Sequence, residues 1–442
     1  MSSLPQVAAA FQTVLADIPT TVCRQTGFEQ RRGALSGACF VQTLVFGWWQ
    51  QPAATLDQLC QTAAALGVAI SPQALDQRFT SGAAALLADR LAAAAAQVLA
   101  AEPAVGELLS RFTAVELLDS TTIGLPDALA TVWRGCGGRT GTGTQAALKA
   151  TVRLDLVTGR LTGPELNHGR TQDRATALQH APIPAGGLRV NDQGFTTLQA
   201  LADLAAQDAS FLSRLPTQWG VVRPDGTRLE VEGWLRAQDP TVGPVELAIE
   251  LGVTARVPAR LLALPVPTEV AAERRRKLRA AAQREGKTPS AAALARADWT
   301  LLITNVPTEG LAAGEAQVLL RARWQIELLF KLWKQHGQVD EWRSAKPTRI
   351  LCEVYAKLLV VVAQHWAALV GGWAGAHRSP VKLVARLRGW GLPLALAVND
   401  HARLVALLGH LQRSLRLGSQ RAKRRAHPAT FQLLAAPPSG WA

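Results

Sequence analysis

The sequence predicts an α/β protein: a mixed-sheet centre carrying a β-rich insertion, with helical regions on either side. Three observations predict this. Residues 1–108 are rich in Ala, Leu and Gln with few β-branched runs, a helical composition. From Phe112 short apolar runs that empty into polar turns take over, as strands do. Helical periodicity returns after residue 300 and is strongest in Gln317 to Gln335. The expected division is therefore 1–108 helical, 109–345 mixed with an insertion at about 216–300, and 346–442 helical with a basic tail.

Taken in order, Thr55 to Leu66 reads as one helix that Gly67 ends. Ser71-Pro72 is an N-cap and first-turn pair for a second helix through Phe79. Two helices about such a turn match a helix-turn-helix, which makes 1–108 a candidate DNA-binding domain, although helical hairpins are common in proteins that never meet DNA. Thr113 to Asp119 is a strand emptying into Asp119-Ser120-Thr121-Thr122, followed by the Gly-rich stretch 135–143. Ala146 to Leu156 and Leu161 to Leu166 bracket the turn Thr158-Gly159-Arg160, a hairpin signal. Leu188 to Val190 leads to another strand tip at Asp192-Gln193-Gly194, and Phe195 to Gln207 forms the next helix. Hairpin, strand and helix in that order suit the central sheet of a ribonuclease-H-like domain. Within the insertion, Trp219 to Leu235 alternates like strands around Pro224-Asp225-Gly226, Ala272 to Arg284 is a basic helix, and Thr300 to Thr304 is a strand.

At 442 residues and 48% apolar content the chain can bury a large core and is not disordered. Its formal charge of +14 favours a polyanionic partner, although a basic composition with no single basic face would give the same number. The chain end weighs toward a partner: no acid follows Asp400, while Arg403, Arg413, Arg416, Arg421, Lys423, Arg424 and Arg425 do. Five dispersed cysteines exclude a disulfide frame and a zinc site, and read as reduced thiols of a cytoplasmic protein. Leu358 to Ala376 holds no Asp, Glu, Lys or Arg, but Gln364, His365 and Gly371-Gly372 make it a buried helix instead of a membrane span.

Chemistry concentrates on the helix Leu320 to Lys334. Arg323, Glu327 and Lys334 fall at i, i+4 and i+11, one face of a helix, with Ile326, Leu329, Phe330 and Trp333 on the other. One carboxylate bracketed by cations is either a solvated ion-pair face or a metal ligand between phosphate clamps. Asp119 and Asp192 sit at strand ends, where carboxylates can converge on hard divalent cations that activate a nucleophile. Any large protein has such aspartates, so their placement alone is a weak signal.

The helix resembles the Tyr-x2-Arg-x3-Glu-x6-Lys signature of DDE transposases from bacterial insertion sequences of the IS-four type, with Leu320 where the tyrosine stands. Leu118-Asp119-Ser120-Thr121 and Asn191-Asp192-Gln193-Gly194-Phe195 are similar to the first and second aspartate motifs of that family. Gly137 to Thr140, Gln145 to Lys149, Asp298-Trp299, Thr304 to Pro307 and Gln73 to Phe79 extend the similarity over nearly the whole chain. The resemblance implies a ribonuclease-H-like catalytic domain in which Asp119, Asp192 and Glu327 bind two Mg²⁺ or Mn²⁺ ions. It implies cleavage and strand transfer at the inverted repeats of a transposon, on double-stranded DNA, by a homodimeric synaptic complex. DNA contacts are expected from Arg323, Lys334, Lys331, Arg139 and Lys149, with Trp299 as either a stacking platform for a flipped base or, equally, a core residue at a strand start. Leu320 cannot donate a hydrogen bond to phosphate, which places hairpin formation at the DNA end in question more than strand cutting. Tyr355, the one tyrosine, is a candidate replacement. A DNA-binding repressor without chemistry and a nuclease without strand transfer are the other readings; the intact acidic residues oppose the first, the signature helix the second.

Overall fold

Helix formation in the first hundred residues follows its caps. Ser3, Ser36, Thr55, Ser71 and Thr80 each accept a backbone N–H through the side-chain oxygen at the start of the helices Leu4–Leu15, Gly37–Gln50, Leu56–Ala65, Pro72–Asp76 and Ser81–Ala95. Ser71-Pro72 opens its helix as expected, but the helix ends at Asp76 and not near Phe79. Leu75 is buried, and the Asp76 carboxylate is held by Lys346 at 2.6 Å and Arg349 at 2.9 Å. Five residues make little more than one turn, so the helix-turn-helix reading loses its second helix. These observations come from a computed structural model that describes residues 2–29, 35–104, 106–137, 145–371, 373, 378–419, 428 and 430–436.

The chain folds as two units whose limits differ from the expected 1–108, 109–345 and 346–442. The first gathers Met1–Ala104, Asp119–Gln172 and Gln325–Ala426; the second gathers Val105–Leu118, Asp173–Trp324 and His427–Ala442. The N-terminal helices join the C-terminal ones because of the 24-residue helix Pro347–Val370, which packs on Ser81–Ala95 and Gly37–Gln50 and is buried from Ile350 onward. That helix has the length and apolarity of a membrane span, yet its apolar stretch is buried inside the protein. It also carries charges. Glu353 accepts from Arg349 and from the Arg343 backbone, both at 3.1 Å. Lys357 donates to the Glu341 carbonyl at 2.6 Å and lies over the Trp48 ring. Burial is tolerable because every such charge has partners.

Nine strands follow in chain order: β1 Val115–Leu125, β2 Ala146–Asp155, β3 Leu161–His168, β4 Leu188–Asn191, β5 Ser210–Arg214, β6 Val221–Val222, β7 Val245–Leu251, β8 Val257–Pro265 and β9 Trp299–Thr304. The sheet order is β3-β2-β1-β4-β5-β9-β8-β7-β6. In the first unit β2 and β3 form the expected antiparallel hairpin. Its turn is fixed by Asp155, which accepts from Val157 N–H at 3.0 Å and the Thr158 hydroxyl at 2.5 Å. Gly159 has φ +69°, and a Cβ there would stand 2.3 Å from the Trp373 ring, so only glycine fits.

In the second unit β1, β4 and β5 are parallel, and β9, β8, β7 and β6 extend the sheet antiparallel. The β-rich insertion is therefore part of the sheet and not a separate layer. Only Val221–Val222 of the stretch Trp219 to Leu235 is strand; the rest is turn and the helix Val231–Arg236. Its apolar residues, Leu229, Val231 and Leu235, face the same core as Phe211, Leu261 and Ile303, so burial imposed the alternation without requiring a strand.

Candidate active site

The first aspartate grows out of β1. Val115 to Leu118 are buried, and Asp119 is half-buried with its Oδ1 accepting from the Ser120 N–H at 2.8 Å. The strand does not end there, as expected, but runs on to Leu125. What ends is the pairing with β4, whose last register pair is Leu118 with Asn191. Asp192 is the first residue after β4, just past its last paired residue, Asn191.

Asp192 turns the chain. Its carbonyl accepts from Phe195 N–H at 3.1 Å and the Thr196 hydroxyl at 2.9 Å, while its carboxylate makes no capping bond to the turn Gln193–Phe195 that it opens. Phe195 is buried and anchors that turn. Gly194 lies under Asp173: a Cβ would come within 3.1 Å of Asp173 Oδ2, which brings a further carboxylate beside the Asp192 turn.

Glu327 lies in the first turn of the helix Trp324–Gln335, half-buried, with Ile326, Phe330 and Trp333 buried and Leu329 half-buried. The expected continuous helix Gln317 to Gln335 is interrupted at Arg323. Arg323 caps Ala313–Ala322 and donates its N–H to Leu320 at 3.2 Å, a tighter i to i−3 turn, although its dihedrals stay helical. The common face of Glu327 and Lys334 survives within one helix; that of Arg323 does not follow from helix geometry. Lys334 is half-buried and donates to the Thr122 carbonyl of β1 at 2.9 Å, while Lys331 is exposed. In the first unit, then, the Glu327 helix is tied to the strand of Asp119. Lys149 is half-buried on β2, its Nζ on the Thr171 carbonyl at 2.5 Å.

Other candidates change standing. Trp299 is 4% exposed and packs in the core of the second unit, so its indole presents no open face for a base. Arg139 lies outside the described residues, as do Arg421, Lys423, Arg424 and Arg425. Tyr355 is buried, accepts from Trp133 Nε1 at 2.8 Å, and has its pKa raised by that burial. It is a packing residue, not a substitute for a phosphate donor. His365 is likewise a core histidine: Nε2 pairs with the Gly159 carbonyl at 2.7 Å, and burial lowers its pKa to about 4. Among the described residues no three His, Cys, Asp or Glu side chains already form a metal cage.

Sequence reasoning missed the support beneath the aspartates. Glu116 on β1 and Arg189 on β4 are direct register partners, both buried, with Arg189 Nη2 3.0 Å from Glu116 Oε2. Arg189 also donates to the carbonyls of Gln179 at 2.6 Å and Ala181 at 3.1 Å. A signal was present: opposite charges stand three residues before each aspartate in otherwise apolar runs. Asn191, 1% exposed, has neither amide atom paired and gives no sequence sign of its burial.

Comparison with known proteins identifies the class. Residues 111–363 match the family model described as the transposase DDE domain, and the chain belongs to that family, enzymes acting on DNA. Among its curated relatives is the transposase for insertion sequence element IS231C of Bacillus thuringiensis subsp. berliner, 25% identical, with 77% of this chain and 74% of the relative covered. Another is the IS231E transposase of Bacillus thuringiensis subsp. finitimus, 24% identical over the same shares. The putative transposase InsL for IS186A of Escherichia coli strain K12 is 29% identical, covering 62% of this chain and 70% of that one.

Proposed function

We propose that this transposase binds the inverted-repeat ends of an insertion sequence and cuts and transfers their strands, with Asp119, Asp192 and Glu327 as its metal-binding catalytic residues. The observation that carries this is the Lys334–Thr122 hydrogen bond, which ties the Glu327 helix to the strand of Asp119. Thr122 lies three residues beyond Asp119, about 10 Å along a strand, and Lys334 lies seven beyond Glu327, about 10 Å along a helix. The Lys334–Thr122 bond thus suits a helix that brings Glu327 level with Asp119.

The order β3-β2-β1-β4-β5, with β1, β4 and β5 parallel beside an antiparallel β2–β3 hairpin, supports a ribonuclease-H-like core. The donor set fits a hard divalent cation, because all three ligands are carboxylates and that of Asp192 is not taken up by its own turn. Two Mg²⁺ or Mn²⁺ ions, when bound, would supply an activated water and stabilise the leaving oxygen. The protein's part is to hold the three carboxylates on strands and a helix, and to clamp DNA phosphate with Lys334, Lys331, Arg323 and Lys149. A homodimer pairing two DNA ends completes the proposal.

The test is direct. Asp119→Asn, Asp192→Asn and Glu327→Gln should each retain binding to the transposon end and lose Mg²⁺-dependent cleavage. Near-parental cleavage by any one of them removes that residue from the metal site.

A further inference from the structure

The helix His401–Gly418 buries Leu404, Leu408, Leu411 and Leu415 on one side. Its other side carries Arg403, Arg413 and Arg416, all exposed. The helix Pro380–Leu387 adds Arg386, which lies against Gly418, its Nε 3.1 Å from where a Cβ there would stand. Among the described residues none of these four arginines forms an ion pair with a carboxylate; Arg413 instead meets His410 at 2.9 Å. From Arg378 to the chain end there are eleven lysines and arginines and one acid, Asp400, whose carboxylate caps its helix through Arg403 N–H at 3.0 Å. Most of the +14 of the whole chain therefore lies in its last segment.

The rival basic element behaves differently. On the helix Thr268–Arg284, Arg275 pairs with Asp298, Arg276 and Lys277 with Glu273, and Arg274 donates to the Trp299 carbonyl at 2.8 Å. Arg279 and Arg284 of this helix have no carboxylate partner among the described residues, but its other four cations are answered within the protein. The arginines of His401–Gly418 are not, and like charges held together cost energy that a polyanion recovers.

We propose that the face formed by Arg386, Arg403, Arg413 and Arg416 is a contact surface for the backbone of duplex DNA, separate from the candidate active site. The inference rests on the proposed function for the identity of the polyanion. From Arg403 to Arg416 the helix rises about 20 Å, the axial length of about six base pairs. Arginine suits phosphate because its planar fork gives two hydrogen bonds to one group. A second copy is a poor occupant, since a two-fold interface would set this arginine face against itself.

The experiment compares the full chain with Arg386→Gln/Arg413→Gln/Arg416→Gln in binding a mixed-sequence linear duplex over a salt series. The slope of log affinity against log salt should fall in magnitude by about 2.7, at about 0.9 per lost phosphate contact. A control variant, Arg276→Gln/Lys277→Gln/Lys287→Gln, removes three exposed cations that have carboxylate partners and should leave the slope near the parent's. An unchanged slope in the arginine variant, or an equal fall in the control, overturns the surface. So does a variant that loses binding to anionic phosphatidylserine vesicles while keeping its duplex slope. Cleavage of a transposon end with Mg²⁺ by the parent protein, read in parallel, separates the two ideas. If the parent cuts and the slope is unchanged, only the surface falls; if the parent neither binds nor cuts DNA, both fall.

Discussion

Asp192 and Lys334 show how single side chains divide the work. Asp192 gives its carbonyl to the turn and keeps its carboxylate out of it, whereas Lys334 already holds the Thr122 carbonyl. Lys334→Ala removes one hydrogen bond at an exposed carbonyl that water can satisfy, so stability should fall by about 1 kcal/mol or less. Its salt slope for DNA binding should drop by about 0.9; equal slopes for mutant and parent take Lys334 off the DNA contact surface. His365 provides a pH test. Its folded pKa, about 4, lies below the unfolded 6.5, so the neutral form is the one the fold favours. Stability from this group is complete above pH 6.5 and is lost as pH falls toward 4, by up to about 3 kcal/mol. Denaturant midpoints over that window should fall less in His365→Gln than in the parent; parallel curves would show that His365 is not the titrating group.

Elements were legible where one physical cause acted alone. Caps at Ser71 and Thr55, the β2–β3 turn and the strand before Thr304 could be read because local geometry decides them. The break at Arg323 could not, since no glycine or proline stands near it and its dihedrals remain helical. Trp299 was ambiguous for a related reason: an indole at a strand start serves a core or a ligand equally well until burial is known. The two aspartates were recognisable by motif, but the Glu116–Arg189 pair beneath them needed the register. That pair predicts an asymmetry. Arg189→Met strands a buried carboxylate and should cost about 3–5 kcal/mol, while Arg189→Met with Glu116→Leu should recover much of it. Chemical unfolding of the single and double variants decides; equal losses would mean the carbonyl contacts of Arg189 matter more than its charge.

At the scale of the whole molecule, sequence order misleads about what folds together. The first hundred residues look like a separate helical domain, yet Trp49 donates to the Leu387 carbonyl at 2.7 Å and Gln42 to Asn399 at 3.1 Å. A fragment of residues 1–108 should therefore lack a cooperative melting transition, because Phe46, Trp48 and Trp49 lose their cover. Cooperative unfolding of that fragment by circular dichroism would restore it as an independent domain. Composition cannot reveal such pairing, since contacts between residues hundreds apart leave no local pattern.

The Glu116–Arg189 pair has one more consequence. Hairpin strands inherit their alignment from a short turn, but β1 and β4 are joined by a connection that includes a whole hairpin and cannot transmit alignment. Something in the strands themselves must reject a shifted pairing. A slip of one residue would turn each charge toward an apolar neighbour with no counter-ion, at a cost of several kcal/mol. Two buried charges thereby act as the alignment mark of the β1–β4 pairing.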